Sequence, residues 1–298
     1  MVVSWNPVRK LITLGAGLTV AATALGAPPA AAAAPPEGAY WHTRSVTTIA
    51  HPWRFGTKPD SYALLQRRVS ERWSAPDGRQ WYGYRELGVR PATEADQKAW
   101  QRDGSPAKWS RSIDGKVVKL STEPSKGHVN RLYRERNQFQ FAGQWLTYDE
   151  VQRLPADPNR LKDWLTKAGQ VFGISDASMN SWLSSSLPLL LHTIPAPREV
   201  RAAAYQALLT LPGVRAGGDT KDTLGRTGAA VVIESSSGTG KKASTAKQTL
   251  IVDTGRMVLL SEGRTVTVGG KAFAAKSYTE TLVAVGWTDA GPAVPALP

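Results

Sequence analysis

The sequence predicts an α+β fold in which a curved antiparallel sheet packs over a central helical layer, half-barrel-like. Three observations carry that expectation. Aromatic and β-branched runs dominate residues 40–150 and return in residues 214–289. Residues 155–212, between them, space their apolar side chains at helical intervals. Short polar turns separate the strand-like runs, as antiparallel neighbours require.

Residues 40–50 read as the first strand and 51–60, with Pro52, Gly56 and Pro59, as a loop. Residues 62–74 and 79–87 flank Pro76-Asp77-Gly78, a hairpin signal that sets Trp73 and Trp81 across from each other. Residues 94–100 form a short helix capped by Thr93, and 116–120 a short strand. Residues 139–148 fit strand or loop. Asp157 and Pro158 then suit the N-cap and first position of a helix carrying Leu161, Trp164, Leu165 and Ala168. A second helix covers 176–192, where Pro188 is expected to bend or break it. A third covers 197–211 and stops at Pro212-Gly213. Strands follow at 228–234, 248–253, 257–262 and 278–287, with a mobile Gly/Ser/Lys loop at 235–246.

The ends read differently. Residues 1–10 carry Arg9 and Lys10, residues 11–27 are uncharged and apolar, and residues 28–34 are small and Ala-rich. That is the pattern of a secretory signal cleaved within 30–34, so the first 34 residues are assigned to it. An uncleaved membrane anchor is the alternative, and either way residues 35–289, read as one domain, lie outside the cytoplasm. The Pro/Ala tail at 290–298 is expected to be disordered.

With Cys 0, disulfides, thiolate zinc sites and thiol nucleophiles are excluded. The net charge of +13 is concentrated in residues 40–136 and could attract nucleic acid, anionic lipid or acidic wall polymer, yet the basic residues alternate with acids as on a solvated surface. No nucleic-acid partner is expected. His42, His51, His128 and His192 show no metal-ligand spacing, so neither a metal nor a cofactor is expected. Ser244 and Lys247 match S-x-x-K, but in a loop leading to a strand rather than at a helix start. The Gly238–Lys242 stretch lacks the spacing of a phosphate loop. In residues 219–228, Asp222 is expected to cap a turn, Gly225 to take an unusual backbone angle and Arg226 to pair with a nearby acid.

Several stretches occur together in order. They are Tyr40-Trp41 with Arg44-Ser45, Trp73 with Asp77-Gly78, residues 154–158 with Leu161, 202–214, 222–231, and 286–289. In these the chain resembles an actinobacterial family of exported or membrane-anchored proteins of uncharacterised function, often encoded near extracytoplasmic-function sigma factors. That family is similar in layout to the lipoprotein-carrier and sigma-regulator half-barrels. The resemblance implies an apolar concavity between sheet and helices, holding a lipid or a protein tail. Members carry a cytoplasmic segment before a membrane helix; here only ten residues precede the apolar run.

The expectation is therefore an exported, cell-envelope, non-enzymatic binding or sensing module for an apolar or amphiphilic ligand or a protein partner. Trp164, Trp182 and Leu190 are the candidate lining residues, and Arg226, Arg131, Arg134 and Arg136 the candidate anion contacts. The alternatives are a secreted hydrolase, requiring His42 or His128, and a basic module that docks on anionic wall or membrane surface through residues 131–136.

Overall fold

The computed structural model describes residues 36–113, 116–133, 137–239, 243–273 and 277–298. The residues expected to form a secretory signal therefore lie outside the described ones, as do Arg134, Arg136 and part of the 235–246 stretch. Within the described residues no helix is long and apolar enough to cross a membrane.

The fold is mainly antiparallel sheet with few helices. Strands β1 (Tyr40–Phe55), β2 (Tyr62–Ser74) and β3 (Gln80–Pro91) form a meander. Helix α1 (Glu94–Arg102) and the hairpin β4 (Lys108–Ile113) and β5 (Lys116–Ser121) follow. β6 (His128–Leu132) then adds to the edge of β3. A second hairpin, β7 (Phe139–Phe141) and β8 (Gln144–Leu146), leads into α2 (Tyr148–Gln152). Three helices come next: α3 (Pro158–Val171), α4 (Asp176–Leu190) and α5 (Arg198–Leu209). Strands β9 (Val214–Lys221), β10 (Thr227–Ser237), β11 (Ser244–Asp253) and β12 (Val258–Val268) run back and forth. The short β13 (Lys271–Ala272) folds onto β12. Finally β14 (Tyr278–Thr288) inserts between β1 and β12. One sheet results, in the order β6-β3-β2-β1-β14-β12-β11-β10-β9. The last strand thus joins the first meander to the second.

Local chemistry explains the turns and caps. The Trp73/Trp81 pairing holds in the register of β2 and β3. Gly78 makes that turn possible. Its φ is +81°, and a Cβ there would meet the Asn137 carbonyl oxygen at 2.0 Å. The Asp157 carboxylate accepts from Arg160 N at 2.9 Å, capping α3. Gly213, at φ +77°, ends the third helical segment where a Cβ would lie 2.7 Å from Glu234 O.

Four expectations need correction. β1 continues to Phe55 through Pro52, because a bulge between Ala50 and Arg54 leaves no ladder bond to β2 for proline to break. α4 runs through Pro188 and stops two residues later, where Pro188 O still accepts from Leu191 N. Residues 235–237 and 244–246, expected in a loop, belong to strands: Ser237 and Ser244 pair across β10 and β11. The tail is anchored. Pro295 is buried, a Cβ on Gly83 would lie 3.0 Å from its ring, and Arg44 Nη2 donates to Ala296 O at 2.6 Å.

Two apolar clusters lie under the sheet. The larger joins Leu161, Leu187, Val200 and Leu208 from the helices to Val231, Leu250, Leu259 and Leu282 from the strands. Each such leucine contributes about 1.5–3 kcal/mol by leaving water. The smaller gathers Phe55, Tyr62, Leu64, Val89, Ala99 and Leu120. There Tyr62 Oη donates to Asp103 and accepts from Trp109 Nε1 at 3.0 Å; burial pushes its phenol up to about 12.

A candidate binding cleft at the sheet fork

The sheet divides. β12 and β14 pair only from Ser261 opposite Thr281 to Arg264 opposite Tyr278. Beyond Ser261, β12 follows β11, and beyond Thr281, β14 follows β1. Backbone groups facing the gap lose their ladder partners, and buried carbonyls need others.

At the closed end of the fork Arg226 supplies them. Its Nη2 donates to Leu260 O at 3.1 Å and to Leu282 O at 2.7 Å, one carbonyl from each diverging strand. Asp222 steers the guanidinium by accepting from Arg226 Nε at 2.8 Å, and its other oxygen accepts from the N–H groups of Leu224 and Arg226. Burial alone would raise the Asp222 carboxyl. The hydrogen bonds from Arg226 and from those two amides outweigh it and hold the group below the usual carboxylate range. The expected Asp222–Arg226 pairing is present, and Gly225 has φ +78°.

Near the open end lie three other arginines: Arg256 reaches across to β14, whereas Arg198 and Arg201 tie α5 to the turn between β11 and β12. Arg256 Nη2 donates to Val285 O on β14 at 2.8 Å. Arg201 donates to Met257 O at 2.9 Å, Ala196 O at 2.6 Å and Arg256 O at 3.2 Å. Arg198 places Nε and Nη2 on Gly255 O at 3.1 and 2.9 Å. The Arg201 guanidinium also lies 5.3 Å from the centre of the Trp41 ring. Burial lowers its pKa, while Glu199 and Glu37 pull the other way. Among the described residues, none of these three arginines forms an ion pair with a carboxylate.

Between these groups lies a cleft of about 920 Å³. Its aromatic wall is made by Trp41 and Trp287, partners in the β1–β14 register with ring centres 5.7 Å apart, and by Tyr148, 6.0 Å from Trp287. Trp41 Nε1 donates to His192 O at 2.7 Å, which fixes the indole. Pro195, Pro197 and the 41 % exposed Val283 add apolar surface. Glu37 and Glu199 are exposed among the lining residues. The cleft can hold an aromatic-packed body and offer hydrogen-bond donors beside it.

Of the sequence-derived candidates only His42 lines the cleft; the others fall elsewhere. Leu190 is fully buried; Trp164 stacks on Phe141 at 5.9 Å and Trp182 on Phe172 at 5.6 Å. None of the three lines the cleft; they pack the larger apolar cluster. Their helical spacing turns them toward neighbouring helices and the β7–β8 hairpin. Arg226 is committed to the fork carbonyls. Arg131 is exposed on edge strand β6, between the rings of Trp81 and Tyr133 at 5.9 and 5.6 Å. His42 bonds Glu71 at 2.7 Å and stacks on Trp73, whereas His128 lies by Tyr84. Strand alternation puts the two histidines on opposite sheet faces, so they do not converge. Ser244 and Lys247 lie on β11, without the helical turn that S-x-x-K chemistry needs.

Trp41, Tyr148, Trp287, Arg198, Arg201 and Arg256 were missed. One signal was available. Arg198 opens α5 and Arg201 follows a turn later, at the helix end where the macrodipole disfavours cations. A local rule broken in this way marks a site with another purpose. The chain matches no family model, and no curated protein is found similar to it.

Proposed function

We propose that the protein is an exported cell-envelope binding module that takes an amphiphilic ligand into the fork cleft. The observation that carries this reading is the pairing, in one cleft, of the Trp41, Tyr148 and Trp287 wall with arginine donors already oriented by backbone carbonyls. Such a wall accepts an apolar body and the donors fix a polar end. The half-barrel layout implied by the family resemblance is part of the proposal: the sheet curves around α3–α5, and the fork opens beside them. In this reading the chemistry is binding, with the cleft arginines orienting a ligand.

Native mass spectrometry of the protein purified without detergent tests it. The wild type is expected to carry an extractable amphiphile. Val283→Trp, which fills the cleft from an exposed position, is expected to be empty at unchanged Tm. An empty wild type, or equal loading of the variant, would defeat the proposal.

A further inference from the structure

The open end of the fork contains an electrostatic deficit that the closed end does not. Arg226 at the closed end has Asp222 beside it. Arg201 at the open end is half-buried against Trp41 and is met only by carbonyl oxygens. A guanidinium out of water needs a counter-charge; carbonyl dipoles answer it in part. Arg198 and Arg256 add two more cations to the same cleft, and both are exposed. The acids nearby are Glu37 and Glu199, both exposed, and neither lies within ion-pair distance of the three. The first turn of α5 also points its positive end here.

We infer that the ligand of this cleft carries an anionic group, a carboxylate or phosphate monoester, which seats against Arg201 between Arg198 and Arg256. This inference rests on the amphiphile reading above and specifies its polar end. The guanidinium groups are pre-oriented by their carbonyl bonds, so an incoming oxyanion meets fixed N–H donors and loses little ordering entropy. The apolar part then lies along Trp287 and Tyr148. A cationic or neutral head would leave the Arg201 charge unanswered and desolvate it further.

The test is a calorimetric titration below the micelle concentration with four single-chain probes of equal length. They are dodecyl phosphate, dodecanoate, dodecyl maltoside and dodecyltrimethylammonium. Inorganic phosphate is titrated separately. Both anionic probes are expected to bind about tenfold or more tighter than the maltoside, one charge-assisted contact corresponding to roughly a factor of ten. The Arg198→Gln/Arg256→Gln double variant is expected to stay folded, with a Tm lowered by the lost Arg256 bond to Val285 O, and to lose that preference. Inorganic phosphate is expected to bind more weakly than dodecyl phosphate. Equal affinity for anionic and neutral probes, or a preference unmoved in the double variant, overturns the anionic seat and leaves the amphiphile reading standing. No binding by any dodecyl probe overturns both. Inorganic phosphate binding as tightly as dodecyl phosphate supports the anion seat and overturns the apolar wall as a contact.

Discussion

The two ends of the β12–β14 fork solve one problem in different ways. Both use arginine to satisfy backbone carbonyls: Arg226 and Arg256 reach ones on the diverging strands, and Arg198 and Arg201 reach ones in the neighbouring turn and loop. At the closed end Arg226 comes with Asp222, whose side chain is 0 % exposed, and the charge is balanced within the chain. At the open end Arg198, Arg201 and Arg256 make carbonyl bonds alone. The closed end is thus a finished clamp, and in the proposed reading the open end takes its counter-charge from a ligand. The same residue type, bonded to the same kind of acceptor, is balanced by a carboxylate within the chain in one place and is not in the other.

That contrast can be broken experimentally. The largest effect is expected at the closed end. Asp222→Ala leaves the Arg226 charge and two turn amides without their partner and is expected to cost about 1–3 kcal/mol in urea denaturation. Asp222→Ala/Arg226→Met, which removes the charge as well, is expected to recover part of that loss. A loss below about 1 kcal/mol for the single variant would mean that Arg226 holds the carbonyls without help.

Next comes acid. Burial lowers the His192 pKa, against the pull of Glu280 and alongside Arg72. The unfolded chain therefore takes up this proton first as pH falls. The stability is present above the unfolded value of about 6.5 and is lost as pH falls through it toward the folded value. Because Trp41 is anchored on the His192 carbonyl, the loss should be felt at the cleft wall. Stability is expected to fall as pH drops from about 7.5 to 5.5, and His192→Gln should flatten the slope. An unchanged slope in that variant would assign the acid sensitivity elsewhere.

A smaller loss, about 1 kcal/mol, is expected for Trp41→Phe, which removes the indole donor from His192 O while keeping an aromatic wall. The smallest is Arg198→Gln. Its stability change should stay within about 0.5 kcal/mol, as for other exposed positions, while ligand affinity falls. A destabilisation comparable to that of Asp222→Ala would make the open end as structural as the closed one.

The sequence made the local half of this comparison legible. Residues 222–226 announce their own turn, and the Asp222–Arg226 pair is four residues apart. Asp157 with Pro158, and Trp73 across Pro76-Asp77-Gly78 from Trp81, were readable for the same reason. The open end was not. It depends on β14 pairing with β1, which brings Trp287 opposite Trp41 across nearly the whole chain. Periodicity shows that Trp164, Trp182 and Leu190 face inward, yet core and ligand wall have the same apolar pattern. The anchored tail escaped similarly: composition marks a Pro/Ala stretch as free, and only the fold reveals Arg44 and Gly83 waiting beneath it.

Hydrogen–deuterium exchange with and without dodecyl phosphate tests the central claim most directly, since it reports where the ligand sits. Protection is expected in residues 255–259 and 283–288, the two sides of the open fork, with the amides around Trp164 and Trp182 unchanged. Protection centred on α3 and α4, with none along the fork, would contradict the account.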